Sequence, residues 1–197
     1  EACQLFFRQH AMLHSEKMSG AGLFSLEDEV FEDLSDEKAR RIPRGSEHSI
    51  VWNIWHIARI EDVTMNALVA GTPQVIDRDN WQARMNAGVY DTGNSTSIEQ
   101  IRDLSNRIDI PELRAYRAAV GRRTREIVKD IQPDDLKNKV EPDRIEQIRT
   151  SGVVVEAASG LLDYWSKRNI AGLLLMPATR HNLVHLNESL RLKEKRN

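Results

Sequence analysis

The chain has 197 residues, 40% hydrophobic and 29% charged, which is an ordinary balance for one globular domain spanning residues 1–197. Its net charge of −2 provides no overall field toward nucleic acid or an anionic membrane, so neither is expected as a partner. No stretch approaches the ~20 apolar residues of a membrane span. The single cysteine, Cys3, excludes an internal disulfide and predicts a reducing, cytoplasmic location.

Helical periodicity begins at the N-terminus. Apolar residues at helical spacing predict a first helix over about residues 2–17. A short helix over residues 26–34 follows, with Ser25 as its N-cap. The clearest helix lies between a cap at Ser46 and a stop at Gly71, and the residues between them include no glycine or proline.

The second half of the chain is interrupted more often. Residues 72–96 lack sustained periodicity, and a connection of this length in a compact domain often carries function. Ser97 and Gln100 form a capping box, and Pro111 begins the next long helix, which reaches about residue 131. From Val153 the chain is predicted to be helical nearly to its end, with Pro177 either starting the last helix or kinking it. Four main helices with long crossover connections indicate an all-α fold, a four-helix bundle.

The histidines are the candidate functional residues. Two pairs have i, i+4 spacing, His10 with His14 and His181 with His185, and this spacing stacks two side chains on one helix face. Two imidazoles so placed converge on one metal ion without distorting the backbone. His56 lies within an apolar helix, where a neutral imidazole needs a hydrogen-bond partner or a metal. The spacing therefore favours a site of three histidines, although such a pair is also found as two partly exposed side chains without a ligand.

The chain resembles the DinB/YfiT-like superfamily in two segments, SIVWNIWHIA at residues 49–58 and RHNLVHLNE at residues 180–188. The order of the helices and the long crossover extend the resemblance over most of the chain. It implies a four-helix bundle whose second helix supplies one metal-binding histidine and whose last helix supplies two. Carried over to this sequence, the metal ligands are His56, His181 and His185, and nothing departs from the three-ligand pattern.

Three neutral imidazoles would leave a divalent ion its full double charge and open coordination positions. Zinc or nickel is expected, because both accept imidazole. The resemblance implies a transferase whose metal activates a low-molecular-weight thiol, such as bacillithiol or mycothiol, for attack on an electrophilic small molecule. Two alternatives stay open: a metal-dependent hydrolase of amides or esters, and a non-catalytic metal-binding module of a stress response. A homodimer is compatible with a bundle of this size.

Three residues near the predicted ligands are candidates by their spacing. Glu188 lies three residues after His185, where it either accepts a ring N–H or acts as a catalytic base; an outward surface carboxylate is the alternative. Asn53, one turn before His56, is expected to orient that ring. His48, in the first turn of its helix, is expected to be structural or to lie at the mouth of the site.

For two further groups, a binding role is one of two interpretations. Arg59 is expected to bind an anionic group of a substrate, or else to pair with Asp62 or Glu61. His10 and His14 are expected to line the site at the height of the metal as an extra ligand, proton shuttle or substrate contact. The alternative for this pair is hydrogen bonding to backbone carbonyls at a helix end.

Overall fold

The computed structural model describes residues 2–195, in which every regular element is a helix and no β-strand is present, so the all-α prediction is confirmed. The first eight α-helices are α1 (Ala2–Leu13), α2 (Glu16–Ser19), α3 (Leu26–Phe31), α4 (Asp36–Arg40), α5 (Ile50–Asp62), α6 (Trp81–Met85), α7 (Ile98–Arg107) and α8 (Ile110–Asp130). They are followed by α9 (Pro142–Thr150), α10 (Gly160–Ser166), α11 (Ile170–Leu175) and α12 (His181–Glu194). Two π-helical segments lie at Val63–Ala70 and Met176–Arg180, and short 3-10 helices lie at Val75–Asp77, Asp135–Lys137 and Glu156–Ala158.

Four helices, α1, α5, α8 and α12, form the bundle. The α5 helix packs against α8 and α12, and α1 contacts the same two helices. Asn53 bonds to His185 while Glu61 bonds to Asn182, so residue numbers rise along α5 as they fall along α12. These two helices are therefore antiparallel, and residues near the start of one face residues near the end of the other.

The α5 helix is the centre of the fold, and every residue from Ile50 to Asp62 is buried. Its N-cap is Ser49, whose side chain accepts a hydrogen bond from the backbone N–H of Trp52, so the predicted cap at Ser46 is wrong. Ser46 instead closes a turn by donating its backbone N–H to the carbonyl of Pro43. The predicted end at Gly71 is confirmed, because this residue adopts a left-handed conformation and terminates the π-helical continuation.

The first helix is shorter than predicted and ends at Leu13. Arg117 donates a hydrogen bond to the Leu13 carbonyl and the Ser25 hydroxyl donates one to the His14 carbonyl, each at 2.8 Å. Side chains from other elements thus take the acceptors that a next helical turn would have used. Ser25 also caps α3 by accepting from the backbone N–H of Asp28, as predicted.

The middle of the chain follows the sequence pattern, whereas the C-terminal region is more broken than predicted. The capping box of Ser97 and Gln100 begins α7, and α8 starts within one residue of Pro111. After Val153, however, the chain forms α10 and then, from Ile170 to Glu194, a continuous helical run in which a π-helical segment joins α11 to α12. Pro177 lies in that segment, so it interrupts the regular α-helix without starting a new one. Asn169 caps α11 anew by accepting from the backbone N–H of Gly172, which starts a second helix inside the predicted one.

The aperiodic segment before α7 is tied to α5 by buried polar contacts. The Asp62 carboxylate accepts hydrogen bonds from the backbone N–H groups of Val75 and Ile76, at 2.8 and 3.0 Å. These contacts therefore fix the start of this segment beside the C-terminal end of α5. No helix within residues 2–195 combines the length and apolar character needed to cross a membrane.

Candidate metal centre

Three histidines from α5 and α12 lie together near the surface of the bundle. His56 is in the middle of α5, and His181 and His185 lie one turn apart at the start of α12. One ring nitrogen of each lies within 4.8 Å of the other two, and the ring centroids are 4.7 to 5.0 Å apart. We call this group the three-histidine centre. The i, i+4 spacing sets two rings side by side, and the antiparallel packing of α5 brings the third to them.

Hydrogen bonds hold two of these rings from the side away from the centre. His56 donates from Nδ1 to the backbone carbonyl oxygen of Thr92 at 2.5 Å. His185 Nδ1 lies 3.0 Å from Asn53 Oδ1 and 3.3 Å from Glu188 Oε2. Because these acceptors fix the proton on Nδ1, the Nε2 lone pair of each ring is free for a ligand. Metal-binding histidines characteristically donate their other N–H in this way.

The third ring supplies a further test of whether a metal fits. His181 Nδ1 is buried, and within residues 2–195 it has no hydrogen-bond partner. Burial lowers the pKa of His181 to about 3 and, together with the neighbouring histidines, holds the pKa of His56 well below its usual range. Both rings are therefore neutral near neutral pH, the form in which imidazole binds a metal. The donor set thus fits one divalent ion with three nitrogen ligands.

The centre is open to solvent on one side. His56 forms its floor and is only 3% exposed. The side chains of His48 and His185 are 22% and 13% exposed, and that of Glu188 is 30% exposed. A small molecule approaching from solvent would therefore meet these three side chains before His56.

His48 belongs to this opening, and sequence reasoning underestimated it. Its Nδ1 lies 3.0 Å from Glu188 Oε1, and its ring centroid is 6.2 Å from that of His185. The ring stacks on Trp52, which in turn stacks on His56. The prediction that His48 lies in the first turn of its helix is wrong, because α5 starts at Ile50 after its N-cap Ser49. A place at the mouth of the site was one of two interpretations, and the contact with Glu188 depends on how α12 packs beside His48.

Glu188 is held between two imidazoles. Burial raises its pKa, but the hydrogen bonds from His185 and His48 outweigh burial and hold the pKa well below its usual range. A carboxylate that keeps its negative charge so firmly is a weak proton acceptor. Of the two roles expected for Glu188, this favours orienting the rings over acting as a base.

A second group of side chains also meets the spacing of a metal site: His10, His14 and Glu61. Their side chains are completely buried, and His10 and His14 approach the Glu61 carboxylate through Nε2 at 2.8 and 3.0 Å. The Nδ1 atoms of both rings lack a partner within the described residues, as does that of His181, whereas the Nδ1 atoms of His56 and His185 have acceptors. This group has neither the outer hydrogen bonds of a metal site nor an opening for a substrate.

The structure therefore does not bring His10 and His14 to the three-histidine centre. They lie at the level of Glu61, five residues beyond His56 on α5, which is about 7.5 Å along a helix axis. The observed position differs from the predicted one because α1 ends at Leu13. His10, in the last turn of α1, and His14, just after it, are both buried in the interior of the bundle.

Asn53 and Arg59 also have partners other than those first expected. Asn53 bonds to His185 across the helix pair, whereas His56, the ring it was expected to orient, bonds to the crossover segment. A contact between two helices cannot be read from spacing within one of them.

Arg59 is completely buried and takes the alternative interpretation, a pair with Asp62 at 3.2 Å. Its guanidinium also donates to the Tyr116 hydroxyl at 3.0 Å, to Gln74 at 3.0 Å and to the backbone carbonyl of Tyr90 at 2.8 Å. With these acceptors engaged, Arg59 serves to hold the crossover segment on α5.

Comparison with known proteins identifies a family and a similar fold. The family model of the DinB superfamily matches residues 27–188, an interval that contains all of the three-histidine centre and neither His10 nor His14. Among solved structures, a crystal structure of a conserved protein from Enterococcus faecalis is 13% identical, with a TM-score of 0.65 over 97% of this chain and 92% of that chain. At this identity the likeness concerns the fold alone. No curated protein matches the chain.

Proposed function

The chain belongs to the DinB superfamily, and from this premise we propose that it is a metal-dependent enzyme that binds one divalent ion at His56, His181 and His185. The observation that carries the proposal is the combination of three converging nitrogens with outer hydrogen bonds on His56 and His185. Structural zinc sites normally take all four ligands from protein, whereas catalytic sites keep an open position. Three protein ligands beside a solvent opening match a catalytic metal site.

The reaction we propose is the transfer of a low-molecular-weight thiol to an electrophilic small molecule. A bound divalent ion with three neutral ligands supplies a strong positive charge that favours a thiolate over a thiol at neutral pH. The chain contributes the geometry for this: His56 is fixed by Thr92 and His185 by Asn53, so both rings present Nε2 without reorganisation.

The proton released by the thiol needs an acceptor, and we assign it to His48. Its Nδ1 faces the ionised Glu188 at 3.0 Å, which keeps the hydrogen on Nδ1 and leaves Nε2 as the basic atom. This is the arrangement by which a carboxylate orients a catalytic histidine. The partial exposure of His48 allows the proton to pass on to solvent.

Turnover by zinc-loaded or nickel-loaded protein tests the reaction. The substrate is a chromogenic electrophile, 1-chloro-2,4-dinitrobenzene, offered with and without cysteine, bacillithiol or mycothiol. We expect turnover that requires both metal and thiol and is lost in His185→Gln. Turnover of a chromogenic ester without any thiol would instead assign the centre to a hydrolase, and no turnover of either substrate by metal-loaded protein would contradict an enzymatic role.

The role of His48 is tested separately. His48→Gln is expected to keep the metal and to lose about 100-fold in kcat, in the range found for general bases. Glu188→Gln, which keeps a hydrogen-bond acceptor but loses the charge, is the matched variant and should fall between His48→Gln and the wild type. A His48→Gln protein with unchanged kcat across the pH range would show that another group takes the proton.

A further inference from the structure

Glu61 lies where the four helices of the bundle meet, and each of the other three helices directs a hydrogen bond to it. Oε1 receives the Thr124 hydroxyl of α8 at 2.8 Å and lies 2.8 Å from His10 Nε2. Oε2 receives the Asn182 amide of α12 at 2.7 Å and lies 3.0 Å from His14 Nε2. We call these five residues the Glu61 cluster. Each carboxylate oxygen thus accepts two hydrogen bonds, which satisfies a buried anion.

The proton positions in the Glu61 cluster follow from its packing. The Nδ1 atoms of His10 and His14 are buried without a partner among the described residues, and a hydrogen placed there would be unpaired. A Cβ built on Gly121 would lie 2.8 Å from His14 Nδ1, so that nitrogen rests directly against the α8 backbone. Both rings therefore carry their hydrogen on Nε2 and donate it to Glu61. A metal at this place would need both Nε2 lone pairs, and the hydrogens would then lie at the unpaired Nδ1 positions.

The cluster consequently carries a net negative charge. Burial lowers the pKa of His14 to about 3, so this ring is neutral. Burial also raises the pKa of Glu61, but the hydrogen bonds that its oxygens accept from the His14 and His10 rings favour the ionised form, and the pKa stays well below its usual range. Within residues 2–195, neither lysine nor arginine forms an ion pair with this carboxylate. Arg117, the nearby buried cation, pairs with Glu27 at 2.7 Å.

The negative charge of Glu61 lies close to the three-histidine centre along both α5 and α12, the helices that supply its histidines. On α12, Asn182 bonds to Glu61 and directly follows His181. On α5, Glu61 lies five residues after His56, about 7.5 Å along the helix. The region between the two groups is packed protein, where charges act on each other more strongly than across water.

We propose that Glu61 is a fixed counter-charge for the cation bound at the three-histidine centre, and that His10 and His14 serve to hold this carboxylate in place as an anion. The proposal rests on the proposed metal site. Three neutral imidazoles contribute no negative charge to balance a divalent ion. Glu188 contributes one negative charge from the solvent side, and Glu61 contributes a second from the interior. Glu61 is a positioning residue in this account, because it acts on the cation without binding it.

The test is the zinc affinity of folded protein, measured by competition with a chromophoric chelator. Glu61→Gln keeps the size of the side chain and removes its charge, and we expect the Kd for zinc to rise about tenfold, as for other residues that support a metal site from outside. Thr124→Val is the matched control: it removes one hydrogen bond to Glu61 and keeps the charge. We expect it to lower the stability while its Kd for zinc stays within about twofold of the wild type.

Each outcome decides between the interpretations. A Glu61→Gln protein with the Kd of the wild type would overturn the proposal, and so would an equal rise in Kd for Thr124→Val, since the effect would then come from packing. Two zinc ions per wild-type chain, with one lost in Glu61→Gln, would show that the cluster is itself a metal site. If the wild type binds no zinc, the proposed function fails first. Should Glu61→Gln not fold, His10→Gln/Glu61→Gln replaces the imidazole–carboxylate pair by two amides that bond to each other and carries the same expectation.

Discussion

His56 donates a 2.5 Å hydrogen bond to the backbone carbonyl of Thr92, which lies in the aperiodic segment between α5 and α7. This bond turns the ring so that Nε2 faces His181 and His185. The segment that looks least regular in the sequence therefore sets the direction of a predicted metal ligand. Its own position depends on close packing of the next residue, Gly93, against α5.

Gly93→Ala should disturb this arrangement. Gly93 has a φ of +79°, and a Cβ at this position would lie 2.6 Å from the Trp55 ring, so the segment must shift. We expect a loss of about 1–3 kcal/mol in the free energy of unfolding and weaker zinc binding, because the Thr92 carbonyl moves with it. Urea denaturation and chelator competition measure the two effects.

Gly152→Ala is the matched control for that substitution. Gly152 has nearly the same φ, +77°, but a Cβ there would meet no atom within 4 Å. It should lose stability through backbone strain alone and keep the zinc affinity of the wild type. Equal zinc affinity in the Gly93 and Gly152 variants would contradict the orienting role of the Thr92 bond.

Asn53→Ala should weaken metal binding without removing a ligand. The amide oxygen of Asn53 lies 3.0 Å from His185 Nδ1 and fixes the ring. Loss of such a partner typically costs about 10- to 100-fold in metal affinity. Isothermal titration with zinc measures the effect. Asn53→Asp retains an acceptor oxygen and should stay within a few-fold of the wild type; if it were as weak as Asn53→Ala, the hydrogen bond would not be the cause.

Stability of the metal-free protein should fall as the pH drops below about 6.5, and His14 should account for part of that fall. The native pKa of His14 is lowered to about 3, whereas the unfolded chain has the ordinary value of 6.5. Below pH 6.5 the unfolded state therefore binds a proton that the native state does not, and acid favours unfolding. Between about pH 7.5 and about pH 5.0 this one group should cost about 2 kcal/mol.

Urea denaturation in the presence of a chelator, at both pH values, measures this dependence. The fall in stability should be smaller in His14→Gln by about the same 2 kcal/mol, because the substituted side chain does not titrate. An identical pH dependence in the two proteins would mean that His14 takes up a proton in the native state as readily as in the unfolded chain.

Arg59→Met should act mainly on stability, and its effect on zinc binding should not exceed the effect that the shifted crossover segment produces in Gly93→Ala. The buried guanidinium bonds to Asp62 and holds the carbonyl of Tyr90, so its removal leaves a buried carboxylate without its cation. We expect a loss of about 3–5 kcal/mol in unfolding free energy by urea denaturation. Arg149→Met, which breaks an exposed pair with Glu146, should change stability by less than about 1 kcal/mol. A zinc-binding defect in folded Arg59→Met protein that is clearly larger than the defect in Gly93→Ala would mean that Arg59 acts at the metal site directly.

The sequence was sufficient to predict the features that depend on the residues of a single helix. The i, i+4 spacing of His181 and His185, the capping box at Ser97 and the stop at Gly71 are local patterns, and all three appear in the structure. The approach of His56 to the C-terminal pair followed from the family resemblance, because no spacing within one helix gives the packing of two.

The sequence alone did not predict the contacts between helices. Asn53 lies nearer to His56 in the chain, yet it bonds to His185, because the antiparallel register of α5 and α12 decides its neighbour. The partners of His10 and His14 depended on where α1 stops, which is set by side chains of α8 and of the segment before α3. The signal for the Glu61 cluster was present as a carboxylate in an apolar helix, but its four donors come from three other helices and from His14, the residue that follows α1.

Metal content of the purified, untagged protein is the most direct measure of the central claim, that the histidines of α5 and α12 form the metal site. Mass spectrometry of the wild type, His185→Gln and His14→Gln, each loaded with zinc and desalted, compares the two histidine groups in one experiment. The account predicts one zinc per chain in the wild type and in folded His14→Gln, and none in folded His185→Gln. A wild type that retains no zinc, or a loss of zinc in His14→Gln with retention in His185→Gln, would contradict it.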